Sequence, residues 1–437
     1  MDWHDTMVYV RAIHFAATVL TAGVVFFAVF IAAPALAECG AANGARAFRS
    51  RLAAIAWTSL ALCVVSGAAW LLLTAQAMSQ QPLPQVWSQG VIWTVLLQTH
   101  FGNDWLVRLV IAGLLAGTLV RLLQPRRSAR PWLATAAVVL AAALIGSLAW
   151  AGHAIGASGI EGILHPAADV LHLVAAAAWV GTLPLLALLL ATAEREAASA
   201  AMAKVATLRF STLGIVSVGT LLATGIVNSW YLVGGMTALV GTTYGRLLIV
   251  KVALFFGMVA IAAANRFRFT PRLAGDHTTT TALGKLRRNA VIETLGGAVI
   301  LVIVAMLGTM PPAGHAHHHP VYGAVPADAA FVHIHTEQGM ADVTIMPGRA
   351  GPARATIRLW DADFASLAAK YLTVTLTPPA AGSTPITRYA SQDASEAWQV
   401  DDIELSQPGV WTVEVRVLLG TNQRLVLDAP IVIEPEQ

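Results

Sequence analysis

The sequence predicts an all-α polytopic membrane bundle of eight transmembrane helices, followed by a small C-terminal all-β sandwich. Three observations carry this reading. The 437 residues are 57% hydrophobic and 12% charged, with mean hydropathy +0.66, whereas soluble domains carry about 25% charge. Long stretches, among them 12–37, 52–103 and 294–327, hold no Asp, Glu, Lys or Arg. After Met310 the pattern changes to short alternating runs. A soluble globule and a disordered chain are both excluded for most of the length, since disorder requires low hydrophobicity.

A spanning helix needs roughly 20 apolar residues. The spans fall near 7–33, 52–75, 104–123, 131–151, 167–191, 210–232, 245–265 and 289–310. The third and seventh carry a cation inside the outer end, Arg108 and Lys251. The N-terminus is acidic and the apolar run behind it is too long for a signal-peptide core, so the first helix is expected to be retained. Orientation follows from Lys and Arg in the loops. Arg46, Arg49 and Arg51 lie in the first loop, and Arg121, Arg126, Arg127 and Arg130 in the third. Arg195, Lys204 and Arg209 lie in the fifth, and a larger basic group from Arg266 to Arg288 in the seventh. The odd loops are therefore expected in the cytoplasm. Both termini are expected on the opposite, periplasmic side. Two cysteines, Cys39 in the first loop and Cys63 in mid-span, make no disulfide framework.

The expected domains are an eight-helix membrane domain at 1–310, a His-rich linker at 311–320 and a periplasmic β-sandwich at 321–437. In the last, runs such as Phe331–Thr336, Ala341–Met346, Ala355–Trp360, Leu372–Leu376, Val410–Val417 and Leu425–Ile433 are separated by Pro-Gly and Pro-Pro turns. About seven strands are expected.

The membrane part repeats itself. Arg11, His14 and Gly23 align with Asp169, His172 and Gly181 at an offset of 158, as do Ser66-Gly67 with Thr224-Gly225. Further on the offset is 143, where Phe101-Gly102 and Arg108 align with Tyr244-Gly245 and Lys251. Four helices per repeat make the halves parallel, and sites favour such repeat interfaces.

Most histidines lie on the predicted outer side, and several methionines share the bias. Imidazole suits copper, zinc and nickel, and thioether sulfur suits Cu(I). His4, Met7, Arg11 and His14 share one helical stripe, and so do His165, Asp169 and His172. Either stripe can instead be a polar capping face. Asp169 can orient a histidine, or pair with Arg11 or Lys251. His333 and His335 sit at i and i+2 of a strand, on one face and roughly 6.5 Å apart, with Met340 or Met346 as further donors across the hairpin. His315, His317, His318 and His319 form a compositional metal tract, close to Met310. His100 and His153 add to the ring at the outer mouth. Ser66, Thr224 and Asn228 are polar residues in spans, whose commoner role is helix–helix hydrogen bonding. Glu293, near the cytoplasmic end, is expected to be neutralised by Arg287 or Arg288. There is no phosphate-binding loop, Cys-x-x-Cys or Cys-Pro-Cys, so ATP-driven pumping by this chain is not expected, and it is not expected to be an enzyme.

The sequence resembles the copper resistance protein D (CopD) family. The likeness rests on Arg11-x-x-His14, Ser66-Gly67-Ala68-Ala69-Trp70, Thr99-x-Phe101-Gly102-x-x-Trp105-x-x-Arg108-Leu109 and Gly152-His153-Ala154. It extends through Asp169-x-x-His172, Trp179-x-Gly181, Arg209-Phe210-Ser211, Thr224-Gly225-x-x-Asn228, Tyr244-Gly245-Arg246-Leu247-Leu248-x-x-Lys251 and Asn265-Arg266. The resemblance implies copper as the bound ion, uptake across the inner membrane, and a periplasmic copper-binding partner of the CopC type. Nucleic acid is not an expected partner. Two alternatives stay open. One is a periplasm-facing copper chaperone or storage platform without transport. The other is a b-type haem redox protein with His14 and His172 as axial ligands.

Overall fold

The computed structural model describes residues 3–39, 44–79, 82–122, 131–151, 161–196, 199–233, 236–274, 279–310, 326, 328–336, 339–361, 366–379, 384–393, 396–419 and 424–435. Among them are eight helical segments long and apolar enough to cross a membrane, from Thr6–Cys39 to Thr281–Leu307. The sequence supplies the reason. With no water to satisfy the backbone, an apolar run crossing lipid must close its own hydrogen bonds, as a helix does.

The first span runs as α1 (Trp3–Phe26), a π-helical turn at Phe27–Ala32, and α2 (Ala33–Cys39). The second is α3 (Gly44–Ser79), longer at both ends than its apolar core. Two short helices, α4 (Leu83–Ser88) and α5 (Val91–Gln98), fill the second loop, where none was expected. Then come α6 (His100–Leu122) and α7 (Pro131–Gly146). The fifth span is expected as one helix. It is α8 (Glu161–Trp179) and α9 (Leu183–Arg195), parted by a turn at Gly181. The rest are α10 (Ala200–Val233), the short α11 (Met236–Gly241), α12 (Thr243–Ala264) with a π-helical end at Asn265–Phe269, and α13 (Thr279–Leu307).

The chain divides into two compact units. One comprises Met1–Gly67, Arg108–Gly152 and Leu164–Ala313; the other comprises Ala68–Val107, His153–Ile163 and Gly314–Gln437. In the first unit, α13 packs along α9, α12 and α1, and α1 also packs on α7. A contact between matched residues of the repeat sits there. A Cβ on Gly23 would lie 2.3 Å from the Gly181 carbonyl, and one on Gly181 would lie 2.4 Å from the Val19 carbonyl oxygen. Only glycine permits this approach, as in other close helix contacts in membranes.

The repeat is also visible in local hydrogen bonding. Thr99 Oγ1 accepts from the Gly102 N–H at 3.1 Å, and Thr242 Oγ1 accepts from the Gly245 N–H at 2.9 Å. These are the same helix cap, 143 positions apart.

In the second unit, the C-terminal strands form two antiparallel sheets, one of five strands and one of four. The described residues hold nine strands rather than about seven. β1 (Ala330–His335), β2 (Met340–Met346), β3 (Gly351–Trp360), β4 (Tyr371–Thr377), β8 (Gly409–Leu418) and β9 (Arg424–Ile433) answer to the expected runs. β5 (Ile386–Tyr389), β6 (Ser391–Gln392) and β7 (Trp398–Leu405) were not expected. Alternate residues such as Ile357, Leu359, Val374, Val413, Val415 and Leu427 close one apolar core between the sheets, as the two-residue strand period requires.

If the Gly23–Gly181 approach is required for packing, Gly23→Ala and Gly181→Ala will each destabilise the protein by about 1–3 kcal/mol, the usual cost of overpacking. Gly113→Ala, whose Cβ would meet nothing within 4 Å, will be neutral or stabilising. Thermal unfolding of the three variants in detergent checks this. Equal melting temperatures would remove the constraint.

Candidate intramembrane metal site

Two polar clusters lie within the apolar spans, one in each repeat, and both are built around an imidazole. In the first, His14 is only 1% exposed. Its Nδ1 lies 3.0 Å from the Cys63 carbonyl oxygen and 3.1 Å from Ser66 Oγ on α3. Ser66 spends its one proton on the Leu62 carbonyl, at 2.6 Å. The hydroxyl can therefore only accept from His14, and so can the Cys63 carbonyl. The proton of His14 is thus on Nδ1, an assignment that follows from the network. The lone pair of Nε2 then faces Arg108 Nη2 at 2.8 Å. A guanidinium only donates, so Arg108 covers that lone pair. Arg108 Nη1 also donates to Ser147 Oγ at 3.0 Å.

The second cluster repeats this logic with a different outcome. His172 Nδ1 lies 2.9 Å from Thr224 Oγ1 on α10, and Thr224 spends its proton on the Thr220 carbonyl at 2.7 Å. His172 is likewise protonated on Nδ1. Ser66 and Thr224 are matched residues, so this contact is conserved between the two halves of the chain. The arginine is not. Its counterpart Lys251 acts on His172 and Asp169 through its charge, and no hydrogen bond from Lys251 to His172 is found among the described residues. Asp169 Oδ1 accepts from Asn228 Nδ2 at 3.2 Å. Asn228 Oδ1 is buried and has no hydrogen-bond partner among the described residues. The second cluster therefore presents an imidazole nitrogen and a carboxylate together, one helical turn apart on α8. Ionisable groups at this depth are costly and generally functional.

Of the two cations considered as partners for Asp169, Lys251 is the one whose charge reaches it. Arg11 instead donates from Nη1 to the Gly308 carbonyl at 2.8 Å and lies over the Phe15 ring. The other expected site residues are distributed as follows. His4 and His100 lie in α1 and α6, with side chains outside the described residues. Met7 is buried in the apolar core. His165 is buried on α8, one turn from Asp169. Met310 packs against Tyr244, Ile303 and Leu307. His153 and the tract His315, His317, His318 and His319 lie outside the described residues.

In the β unit, Val332 and Ile334 face the core, which puts positions 333 and 335 on the opposite face. His333 Nδ1 meets Asp342 Oδ1 at 2.6 Å, directly across the β1–β2 ladder, and position 335 pairs with Met340. The side chain of His335 is outside the described residues. Met340, of the two methionines considered, is the one beside the histidine positions, since Met346 pairs with Arg354 at the far end of β2. Among the described residues no three His, Cys, Asp or Glu side chains gather as a metal cage.

The expectation for Glu293 is corrected. Arg287 pairs with Glu194 at 3.1 Å, while Glu293 accepts from Asn265 Nδ2 at 2.8 Å. The arginine belongs to the helix surface, and the amide takes its place inside. The roles of Cys63, Ser147 and Asn265 were missed from sequence. The repeat alignment did hold one usable signal, the matching of Arg108 with Lys251 beside the matched histidines.

Residues 1–163 match the family model described as copper resistance protein D-like, N-terminal domain, and residues 203–307 match that described as copper resistance protein D. The chain belongs to the copper resistance protein D family. Among curated relatives, the inner membrane protein YebZ of Escherichia coli K12 is 35% identical over 227 residues, which are 51% of this chain and 72% of YebZ. Copper resistance protein D of Pseudomonas syringae pv. tomato is 32% identical over 272 residues, 61% of this chain and 84% of that protein. The copper transport protein CutJ of Bacillus subtilis 168 is 25% identical over 340 residues, 76% of this chain and 58% of CutJ. In this member of the CopD family the two family models fall on the two repeats, with the His14 cluster in the first. The second model begins after His172 and takes in Thr224, Asn228 and Lys251.

The geometry separates the two histidines by stability. His14→Ala leaves the Arg108 guanidinium without its imidazole acceptor, and an unsatisfied buried donor costs about 1–3 kcal/mol. His172→Ala removes a single bond to Thr224 and leaves no donor stranded. Melting in detergent is expected to fall further for His14→Ala than for His172→Ala. The reverse order would contradict the covering role of Arg108.

Proposed function

We propose that this protein binds copper on the periplasmic side of the bacterial inner membrane and passes it into the bilayer through His172, as a step of copper import. It acts as a carrier of the ion and catalyses no covalent chemistry. The observation that carries this reading is the asymmetry of the two clusters. His172 has Nδ1 fixed by Thr224 and Nε2 directed away from that bond, with the Asp169 carboxylate one turn away. A bound hydroxyl on the far nitrogen of a ligating imidazole fixes its tautomer and orientation. The carboxylate offsets the Lys251 charge that acts on the same imidazole and lowers the electrostatic cost of a cation at this depth. The His14 cluster has the same imidazole, but the Arg108 charge lies against its lone pair. Such a site repels a cation, and its role is to hold the helices together.

Relatives named for copper resistance and copper transport support copper as the cargo. The basic odd loops support periplasmic termini. On that orientation the histidine tract at 315–319 and the pair His333 and His335, with Asp342 and Met340 beside them, gather copper outside the membrane. His165, one turn from Asp169 on α8, extends this stripe, and a CopC-type protein is the donor. The b-haem reading needs the Nε2 of both histidines, and the contact from Arg108 to His14 speaks against it.

The test is copper affinity by chelator competition in detergent, in a background with His315, His317, His318 and His319 replaced by Ala. His172→Ala is expected to weaken binding more than tenfold, and Thr224→Val about tenfold, as for lost supporting partners of metal ligands. His14→Ala is expected to stay within threefold of the parent. Binding unchanged in His172→Ala would sink the reading. Copper entry into proteoliposomes then separates import from a storage or chaperone role, which predicts binding without entry.

A further inference from the structure

A third buried polar group lies in the membrane unit, in the half opposite the histidine clusters, and no copper chemistry accounts for it. Glu293 on α13 is 1% exposed. Asn289 Nδ2 donates to Asn265 Oδ1 at 2.7 Å, and Asn265 Nδ2 donates to Glu293 Oε1 at 2.8 Å. The chain ends there, because Glu293 Oε2 is buried and has no hydrogen-bond partner among the described residues. The nearby cations are engaged elsewhere. Arg266 Nη1 donates to Ser211 Oγ at 2.7 Å, Arg287 pairs with Glu194, and Lys285 and Arg272 lie over the Phe269 ring. Asn265 itself opens the π-helical segment Asn265–Phe269, and such irregularities recur at functional sites.

Glu293 lines a cavity of about 350 Å³. Its walls are mostly apolar, formed by residues such as Trp179, Leu186 and Val218, and its polar lining includes Thr207, Arg266 and Asn265, of which Asn265 is bonded to the carboxyl. Ile215 and Phe267 line it and are also 51% and 77% exposed on the helix surface, so the cavity opens toward lipid. This is the profile of a small-molecule pocket, apolar with a few polar groups that fix orientation. A metal ion does not fit, since hard cations need several oxygen ligands and this cavity offers apolar walls. An acyl chain would fill the walls and leave Oε2 buried and unmatched, which is costly.

We propose that this cavity holds the head of a lipid-soluble quinone or quinol, with one ring oxygen hydrogen-bonded to Glu293 and the isoprenoid tail leaving between Ile215 and Phe267. The inference is independent of the copper reading, since none of its residues belongs to the histidine clusters.

The test uses the full chain in detergent, with saturable binding of decylubiquinone compared with decylbenzene, which keeps the ring and tail but lacks the oxygens. Wild type is expected to bind one decylubiquinone and to prefer it at least tenfold. Glu293→Leu is expected to abolish that preference while still binding decylbenzene. Gly214→Phe projects a ring into the cavity from α10, where a Cβ would meet only Trp179, at 3.9 Å; it is expected to exclude both ligands. The Glu293→Leu comparison does not depend on Gly214→Phe folding. Absence of saturable binding, equal affinity for both ligands in wild type, or a preference that survives Glu293→Leu would each overturn the proposal.

Discussion

A hydroxyl that has already spent its proton decides how this membrane domain is built. Ser66 and Thr224 each donate to a carbonyl of their own helix, so each can only accept from the histidine packed against it. That one constraint sets the tautomer of both imidazoles. It ties α1 to α3 and α8 to α10, and it points both Nε2 atoms away from the hydroxyl. What each Nε2 then meets is the difference between the halves. In lipid there is no water to absorb an error in such a network, so the identity of the next residue, arginine or lysine, carries structural weight.

The divergence of the two repeats follows from it. The longer, planar guanidinium of Arg108 reaches both the imidazole of His14 and the hydroxyl of Ser147. A lysine at the matched position carries its charge as a compact, mobile point, and Arg11 is matched by Asp169 at the offset of 158. The first cluster has become a closed, cationic knot. The second retains an acid beside an imidazole, with an amide oxygen of Asn228 unmatched nearby. The two matched clusters thus differ in what stands beside the imidazole, a guanidinium in the first and a carboxylate one turn away in the second.

The spans were legible because hydropathy reports directly on what lipid tolerates. Their ends were not. α3 continues well past the apolar run, because a helix needs no lipid once its first turns are made. The break between α8 and α9 depends on Gly181 meeting Gly23, a contact between residues 158 positions apart. β7 escaped notice because Asp401, Asp402 and Glu404 mask its alternation. Asp402 adopts a left-handed conformation (φ 54°) where the β3–β7 register shifts, as a bulge does. His14 and His172 were legible as imidazoles among apolar residues. That a guanidinium covers one of them was not, because Arg108 is 94 residues away. Sequence proximity pairs Glu293 with Arg287 or Arg288, whereas α13 carries Arg287 to its surface and Asn265 reaches Glu293 from the π-helical segment Asn265–Phe269.

The glycine contact has a consequence for how the chain arose. A residue touching its own counterpart is the mark of a twofold-symmetric dimer, in which the same patch serves both partners. A four-helix ancestor meeting its own copy through this glycine would have carried every change twice, once on each side of the axis. No mutation could then have favoured one site over the other. In a single chain that coupling is absent everywhere except at the axis, where Gly23 and Gly181 still meet. Asymmetry of the kind seen between the histidine clusters is open to a single chain and closed to such a dimer.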